Sequence, residues 1–198
     1  MLKFVPNSFP AFILYSFFAL LLLILVSNSV YANNSFPSTS GKIENSLDKK
    51  NFILIGQTTF TVLFWDIYTS QLLTSSGEYP LIDSKDNLLF DINYLRGIKS
   101  EDLIERTIEQ WRHLGIAEDK YQIYLPLLKN MWPDIQEGDN LSILIHQGRS
   151  TFYFNKQYLG FIDEVEFGEI FLAIWLSENT SQPSLRNELL GKASKDSK

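Results

Sequence analysis

Arg96 is the residue of this chain whose position best suits it to hold a small molecule. It follows an apolar segment and directly precedes Gly97, so it stands at the predicted end of a strand. A guanidinium at that place can turn into a neighbouring cleft and bind a carboxylate through two parallel hydrogen bonds. A salt bridge to Glu101 or Asp102 is equally compatible with the sequence, which leaves both interpretations open.

Three further side chains are candidates for the same cleft. Trp65 and Tyr68 lie in a segment rich in β-branched and aromatic residues, where they could line an apolar pocket and each offer one hydrogen-bonding group. Large aromatics in such strands are more often plain core. Gln110, in a predicted helix, could reach a ligand from the rim of the cleft or could simply face solvent. We therefore interpret all of them as binding candidates, and none as catalytic.

Metal and thiol chemistry find little support in the composition. The chain has no Cys, and its two histidines, His113 and His146, are far apart in sequence. A multi-histidine metal centre is therefore not expected, and no cofactor is predicted, although each His could singly ligate a haem. Four aspartates are predicted to be turn residues before they are acid–base candidates: Asp86, Asp91, Asp134 and Asp139.

The charge balance argues against a nucleic-acid partner. The formal net charge is −6, with 17 basic and 23 acidic residues among 198. Phosphate binding requires clustered Lys and Arg, which the sequence does not show. A small hydrophobic or amphipathic ligand is the partner we expect instead.

The N-terminus predicts export. Residues 1–32 resemble a signal peptide, with Lys3 before an apolar run, a polar stretch after it and a cleavage position after Ala32. The alternative is an uncleaved membrane anchor, since the run could just span a thin bilayer by tilting. We predict a flexible leader at 33–50, one folded domain at 51–191 and a charged tail at 192–198. The expected location is the periplasm or the exterior.

The elements that must position the candidates are strands first. Segments Phe52–Gly56, Thr59–Trp65 and Ile67–Thr74 favour strands, with bends at Gly56 and Asp66. Because both faces of Thr59–Trp65 are apolar, it is predicted to be a central strand covered on two sides. Leu88–Leu95 follows as the next strand after a surface loop.

Helices and a hairpin complete the pattern. Ser100 is predicted to cap an amphipathic helix that ends at Gly115, and Pro126 should kink or split a second helix, Glu118–Met131. A hairpin with its turn at Gly148–Ser150 is predicted between Leu141–Gln147 and Thr151–Phe154, and a tighter turn at Asn155–Lys156 adds one strand. Asp163 with Glu166 forms a predicted capping box for an apolar helix. Pro183 then begins a short last helix. The sum is an α+β fold, an antiparallel sheet with helices on one face.

Four stretches in this order resemble the chalcone isomerase-like family, in particular its exported bacterial branch. They are Phe60–Tyr68, Tyr94–Leu103, Trp132–Asp139 and Tyr158–Asp163, within about residues 52–191. The resemblance implies an open-faced antiparallel β-sandwich with a helical layer packed on one face and a ligand cleft between sheet and helices.

The resemblance also implies a loss of catalysis. Leu103 stands where the enzymes of the family place a Tyr, and Gln110 where they place an Asn; Thr180 matches a cleft hydroxyl, and Thr61 is the nearest hydroxyl to another. An isobutyl group cannot donate a hydrogen bond to a developing charge. The implied function is a non-catalytic, exported domain that binds a small amphiphile such as a fatty acid.

Two alternatives remain open. The domain could be an isomerase or lyase acting on a phenolic or unsaturated acid, with Tyr121 or Tyr124 supplying the missing donor. It could instead be a structural or interaction protein of the cell envelope whose cleft is filled by its own side chains. If the domain is not an enzyme, whether it binds a ligand or is structural, Leu103 is expected to be buried and to point toward the sheet.

Overall fold

A computed structural model describes residues 47–83 and 85–192. Six of the segments in this part of the chain are strands that form one antiparallel sheet, in which each strand pairs with its neighbours in the sequence. The strands are β1 Ile53–Val62, β2 Trp65–Thr74, β3 Leu88–Tyr94, β4 Asn140–His146, β5 Arg149–Phe154 and β6 Gln157–Ile162.

The turn at Asn155–Lys156 lies where the sequence predicted it, whereas the preceding turn lies at Gln147–Gly148 instead of Gly148–Ser150, because Arg149 and Ser150 already pair in β5. Gln147 and Gly148 join β4 to β5 with φ of 48° and 83°, and Asn155 and Lys156 join β5 to β6 with φ of 49° and 68°. Two successive residues with positive φ are the pattern of a type I′ turn, whose twist matches that of the strands. Asn and Gly reach this conformation with least strain, so local residue type located the second turn and came within two residues of the first.

The first hairpin contradicts the prediction. Val62 pairs with Trp65, so the chain turns at Leu63 and Phe64 rather than at Asp66, and β1 is one strand with an irregularity at Gly56. The prediction that Thr59–Trp65 forms a doubly covered central strand is wrong, because β1 is an edge of the sheet. The apolar residues at the C-terminal end of that predicted strand, Leu63, Phe64 and Trp65, are exposed at the turn and do not belong to the core.

The helices pack on one face of the sheet and share a core with it. They are α1 Ser100–His113, α2 Glu118–Tyr121, α3 Leu125–Met131, α4 Val165–Leu176 and α5 Pro183–Leu189. Pro126 splits the predicted second helix into α2 and α3, and Gly115, with φ of 71°, follows α1 as expected. This is the predicted α+β arrangement.

Both predicted helix caps are wrong for a shared reason. Ser100 is the first residue of α1 instead of its cap, and its Oγ donates to the Trp132 carbonyl while its N–H donates to Asp134. Asp163 binds Arg149 instead of capping α4. In each case a partner distant in sequence takes the side chain that a local motif would have used.

The last helix lies directly against the edge strand. A Cβ at Gly56 would stand 2.2 Å from the Glu188 carbonyl oxygen of α5, so no larger residue fits there without moving the helix. Thr58 donates to the Glu188 carboxylate at the same contact. The exposed edge β1 is therefore partly covered by α5.

The opposite face of the sheet carries a smaller cluster. Leu73, Leu89 and Tyr153 are buried there together with Leu47, whose N–H donates to the Lys156 carbonyl. Residues 47–50 of the predicted leader thus lie on the sheet, which the sequence did not indicate. Residues 1–46 and 193–198, which include the predicted signal peptide, most of the leader and the charged tail, lie outside the described residues.

Candidate functional site

The space between the sheet and the helices is filled by aromatic rings. Phe90 of β3 lies with its ring centroid 4.7 Å from that of Trp175, and Phe152 of β5 lies 5.6 Å from Phe171. Phe167 stacks on Phe171 at 5.5 Å. The free volume left among Phe90, Phe152, Phe171 and their neighbours is about 10 Å³, about the space of one water molecule. We call these five side chains, Phe90, Phe152, Phe167, Phe171 and Trp175, the aromatic layer.

Tyr68 meets the aromatic layer at its Trp175 end. The indole Nε1–H of Trp175 donates to the Tyr68 hydroxyl over 3.0 Å. The Tyr68 ring also stacks on Phe60 at 5.2 Å and meets Tyr94 edge-on at 5.9 Å. Burial raises the pKa of Tyr68 to about 12, although the hydrogen bond from Trp175 acts in the opposite direction. The phenol therefore stays protonated at neutral pH and cannot serve as a base there.

Gln110 and Thr180 come close through the loop between α4 and α5. Ser181 Oγ donates to Gln110 Oε1 over 2.7 Å, which ties this loop to α1. Thr180, directly before Ser181, is buried; its Oγ1 donates to the Ile174 carbonyl over 2.6 Å and accepts from the Gln182 N–H. Both predicted ligand groups are thus engaged in hydrogen bonds within the domain.

Trp65 and Arg96 lie on the outside instead. The Arg96 guanidinium is placed over the Trp65 ring, 4.5 Å from its centroid, a cation–π arrangement. Neither predicted salt bridge of Arg96, to Glu101 or to Asp102, is found among the ion pairs of the described residues. The five sequence-predicted site residues therefore form three groups: Tyr68 with Trp175, Gln110 beside Thr180, and Trp65 with Arg96.

Sequence reasoning missed Trp175 and Ser181 as partners of the predicted residues. Trp175 was assigned to the apolar stripe of α4, where its ring indeed packs. A buried indole N–H usually needs an acceptor, and that rule could have directed attention to a tyrosine of the sheet. Ser181 gave no such signal, because the loop conformation that brings it to Gln110 depends on where α1 lies.

Leu103 and the two alternative tyrosines serve packing. Leu103 packs against the edge of the core but is only half-buried, so the prediction that it is buried is met in part. The buried residue of that turn is Ile104. Tyr121 stacks on Trp111 with centroids 4.9 Å apart, and Tyr124 meets Phe167 edge-on at 5.0 Å.

The histidines give no sign of a haem or metal site. His113 and His146 are both exposed, at the ends of α1 and β4, and His146 Nδ1 lies against the Asn87 side chain. Within residues 47–83 and 85–192, no three His, Cys, Asp or Glu side chains are grouped as metal ligands. The same residues contain no helix of the length and hydropathy that a membrane crossing requires.

A buried carboxylate lies on the face of the sheet away from the helices. Asp91, interpreted from sequence as a turn residue, belongs to β3 and is fully buried. It accepts from Ser142 Oγ at 2.6 Å and from Asn140 Nδ2 at 2.9 Å, and Lys49 Nζ lies 2.6 Å from its other oxygen. Because these donors converge on one buried carboxylate, Asp91 joins β3 to β4 and to the segment before β1.

An open depression of about 510 Å³ lies beside β1 and β2, where its lining includes Thr58, Ser70 and Glu188. Its lining is made of Thr, Gln, Ser and Glu side chains, which do not suit an acyl chain. Thr58 and Glu188 already bind each other. The depression therefore contributes nothing to the candidate site.

Comparison with known proteins gives the fold a family. The chain is 25% identical over 138 residues to an uncharacterized protein of Haemophilus influenzae, covering 70% of this chain and 67% of that one. Its structure is similar to the crystal structure of a fatty-acid binding protein from Arabidopsis thaliana, with a TM-score of 0.54, 12% identity, and coverage of 78% of this chain and 90% of that one. A profile of the chalcone isomerase-like family matches residues 41–191. The chain therefore belongs to the chalcone isomerase-like family.

Proposed function

We propose that this domain is a non-catalytic binding protein for a small amphiphile such as a fatty acid, taken up between the sheet and the helices at the Tyr68 end of the aromatic layer. The observation that carries the proposal is the aromatic layer itself, which ends in a half-buried hydroxyl–indole pair. Such a wall offers an acyl chain apolar contact along its length and one polar group at its end. Family membership and the fatty-acid binding neighbour support the same function.

The absence of a proton-transfer pair supports binding over catalysis. The Tyr68 phenol is held protonated by burial, and Leu103 offers no donor where the enzymes resembling this chain have a Tyr. The remaining alternative donors, Tyr121 and Tyr124, pack their rings against Trp111 and Phe167. A general acid or base needs both geometry and a matched pKa, and neither is assembled at this site.

Entry of a ligand requires side chains to move. Only about 10 Å³ is free beside Phe90, Phe152 and Phe171, so an acyl chain that enters there must displace rings of the aromatic layer. Phe171 and Trp175 belong to α4, and a shift of α4 away from the sheet would carry both rings with it. The energy of the exchange is modest when one apolar contact replaces another. We propose that Arg96, at the strand end beyond Tyr68, then turns from Trp65 to the carboxylate.

The proposal includes export. The N-terminal charge, apolar run and small residues at the predicted cleavage position support passage across the inner membrane. We therefore place the domain in the periplasm or the exterior. Sequencing the N-terminus of the protein recovered from the periplasmic fraction tests this; a start at Asn33 is expected, and an intact Met1 in the membrane fraction would contradict it.

Calorimetry with fatty acids tests the binding. Protein purified without detergent is titrated with saturated and unsaturated acids and with their methyl esters, and native mass spectrometry reports any ligand that copurifies. We expect saturable 1:1 binding of the acids. Replacing Arg96→Gln should weaken the acid roughly two- to fivefold, as befits a partly exposed ion pair, while leaving the methyl ester unchanged; Arg112→Gln, an exposed cation of α1, is the matched control.

One specific observation favours a second candidate function. The filled interior is what an envelope structural or interaction protein with a vestigial cleft would have. Recovery of ligand-free protein in every preparation, with no binding of acid or ester in calorimetry, would contradict amphiphile binding and favour the structural or interaction role.

A further inference from the structure

Three consecutive large apolar residues at the end of the first hairpin are exposed. Leu63 is 60% exposed, Phe64 94% and Trp65 50%. We call Leu63, Phe64 and Trp65 the hairpin tip. Single exposed apolar residues are common on protein surfaces, but adjacent ones on a projecting turn form a patch that water solvates poorly.

The turn at the hairpin tip is not built from turn-forming residues. Leu63 has φ of 56°, and Phe64 is not among the positive-φ residues of the described chain. This is the pattern of a type II′ turn, in which glycine normally holds the first position. A leucine there is strained. The β4–β5 and β5–β6 turns have Gly148 and Asn155 available for the same task, so folding alone does not account for Leu and Phe at this place.

A cation stands at the base of the hairpin tip. The Arg96 guanidinium lies over the Trp65 ring at 4.5 Å, while the nearest carboxylate along the strand, Asp66, is engaged by Thr61 Oγ1 at 2.6 Å. A tryptophan beside a basic side chain suits the headgroup level of a membrane, where an indole is half in apolar surroundings and a guanidinium meets phosphate. Leu63 and Phe64 extend beyond that pair.

The area of the hairpin tip is too small for a stable protein partner. If each side chain offers about 150–250 Å² when fully exposed, the three together present roughly 400 Å². A specific protein interface buries about 800 Å² on each partner. A narrow projection of two apolar side chains does not need such an area in order to enter a lipid layer, because lipid surrounds it on all sides.

We propose that the hairpin tip inserts into the surface of a lipid bilayer, with Leu63 and Phe64 among the acyl chains and the Trp65–Arg96 pair at the headgroups. The proposal does not depend on amphiphile binding by the interior. It places the end of the sheet that carries Tyr68 toward the membrane. It also differs from anchoring by the N-terminal apolar run, since it assigns the contact to the folded domain.

The absence of cysteine permits a site-specific test on the full chain. The chain has no Cys, so Phe64→Cys and Ile82→Cys each create a unique labelling position for an environment-sensitive fluorophore. Ile82, on the connection between β2 and β3, is 82% exposed and is the matched control. The label reports its own surroundings, whether or not residues 1–46 also attach the chain to the vesicle.

Vesicles of phosphatidylcholine, with and without phosphatidylglycerol, are the probe. At position 64 we expect emission to rise severalfold and shift to the blue, and to be quenched by spin labels on the acyl chains; at position 82 we expect no change. The response should persist in high salt, because it rests on apolar insertion and the protein is acidic overall. An unchanged label at position 64 in both lipids, or equal responses at 64 and 82, would overturn the proposal.

A second variant keeps the fold and removes the apolar surface. Replacing Leu63→Asn together with Phe64→Gly installs the Asn-Gly pair that type I′ hairpins prefer, so this hairpin should form at least as well. Of the four tryptophans, Trp65 is the exposed one, whereas Trp111 and Trp132 are buried and Trp175 is half-buried. We therefore assign a vesicle-induced blue shift of the tryptophan emission, and its quenching by brominated lipid, to Trp65, and expect both to fall to background in this variant. Undiminished quenching would contradict insertion of the hairpin tip, as would a response at position 64 that depends on protein concentration without lipid.

Discussion

The two faces of the sheet are stabilised by different chemistry, one by apolar packing and the other by a buried carboxylate and its hydrogen bonds. On the helix side, Leu72, Phe90, Ile143 and Phe152 stand in register across four strands. One residue along, on the other side, the register row is Gln71, Asp91, Ser142 and Tyr153. The first row is fixed by packing and the second by a buried carboxylate and its donors.

This difference teaches how the register of the sheet is specified twice. A slip of one residue would move Phe90 to the open face and Asp91 into the aromatic layer. The apolar row would lose its burial, and the carboxylate would lose the hydrogen bonds from Asn140 and Ser142. Each face therefore disfavours a one-residue slip independently of the other.

Truncating the aromatic layer should have the largest effect on stability. Phe171 is buried and meets Phe152, Phe167 and Trp132 at centroid distances of 5.5–5.8 Å. We expect Phe171→Ala to cost about 3–5 kcal/mol of unfolding free energy, through lost burial and the cavity left behind. Chemical denaturation measures it. Phe161→Ala, on the half-exposed outer end of β6, is the control and should cost less than about 1 kcal/mol; equal losses would show that the layer is not the core.

Removing the carboxylate of the open face should come next. We expect Asp91→Ala to cost roughly 2–4 kcal/mol, because Asn140, Ser142 and Lys49 lose a charged partner in a buried place. The same denaturation experiment applies, with the exposed Asp83→Ala as control. A double-mutant cycle with Lys49→Met separates the free energy of the Lys49–Asp91 ion pair from that of the hydrogen bonds to Asn140 and Ser142. An Asp91→Ala protein as stable as the parent would mean that the polar row does not hold the register.

Leu103 tests the rim between the helix layer and the solvent. Because its side chain is half-buried, we expect Leu103→Ala to cost about 1–2 kcal/mol, below the range of about 2–5 kcal/mol for fully buried leucines. Leu103→Tyr should be tolerated within about 1 kcal/mol, since a partly open position lets a larger ring reach solvent. Thermal unfolding of both variants checks this, and a large loss in the Tyr variant would reveal a closed pocket around residue 103.

Tyr68 should give the smallest change at neutral pH and a distinctive one in alkali. We expect Tyr68→Phe to cost about 0.5–1.5 kcal/mol through the lost hydrogen bond from Trp175. The pKa of Tyr68 in the folded protein, about 12, lies above the ordinary tyrosine value of 10.0. The stability that burial of the neutral phenol provides is therefore complete below pH 10 and is lost as pH rises toward 12. Denaturation across that window should show a shallower decline for the Phe variant; parallel curves would contradict the raised pKa.

The sequence predicted those features that depend on residues close together in the chain. Pro126 split its helix, Gly115 followed α1, the turn at Asn155 fell where backbone preference placed it, and the turn at Gly148 fell within two residues. The caps at Ser100 and Asp163 failed because Asp134 and Arg149, distant in sequence, bind the chain there. The turn at Leu63 failed because no turn-forming residue marks it.

The candidate site was predictable in its members more than in its geometry. Thr180 is buried and Tyr68 is half-buried against the core. Their hydrogen-bond partners, the Ile174 carbonyl and Trp175, follow from how α4 lies on the sheet. Trp65 and Arg96 pair with each other outside it. Periodicity indicates which apolar residues share a face of a strand or helix, but it does not identify the residues that pack against that face.

The simple order of the sheet has a consequence for how the chain acquires its structure. Because every strand pairs with a neighbour in sequence, β1–β2 and β4–β5–β6 close through two-residue turns and can form early from local contacts. The pairing of β3 with β4 is different, since α1, α2 and α3 lie in the connection between them. Loop-closure entropy makes that pairing the slow step, so we expect the helix layer and the centre of the sheet to assemble together, as two preformed halves meet.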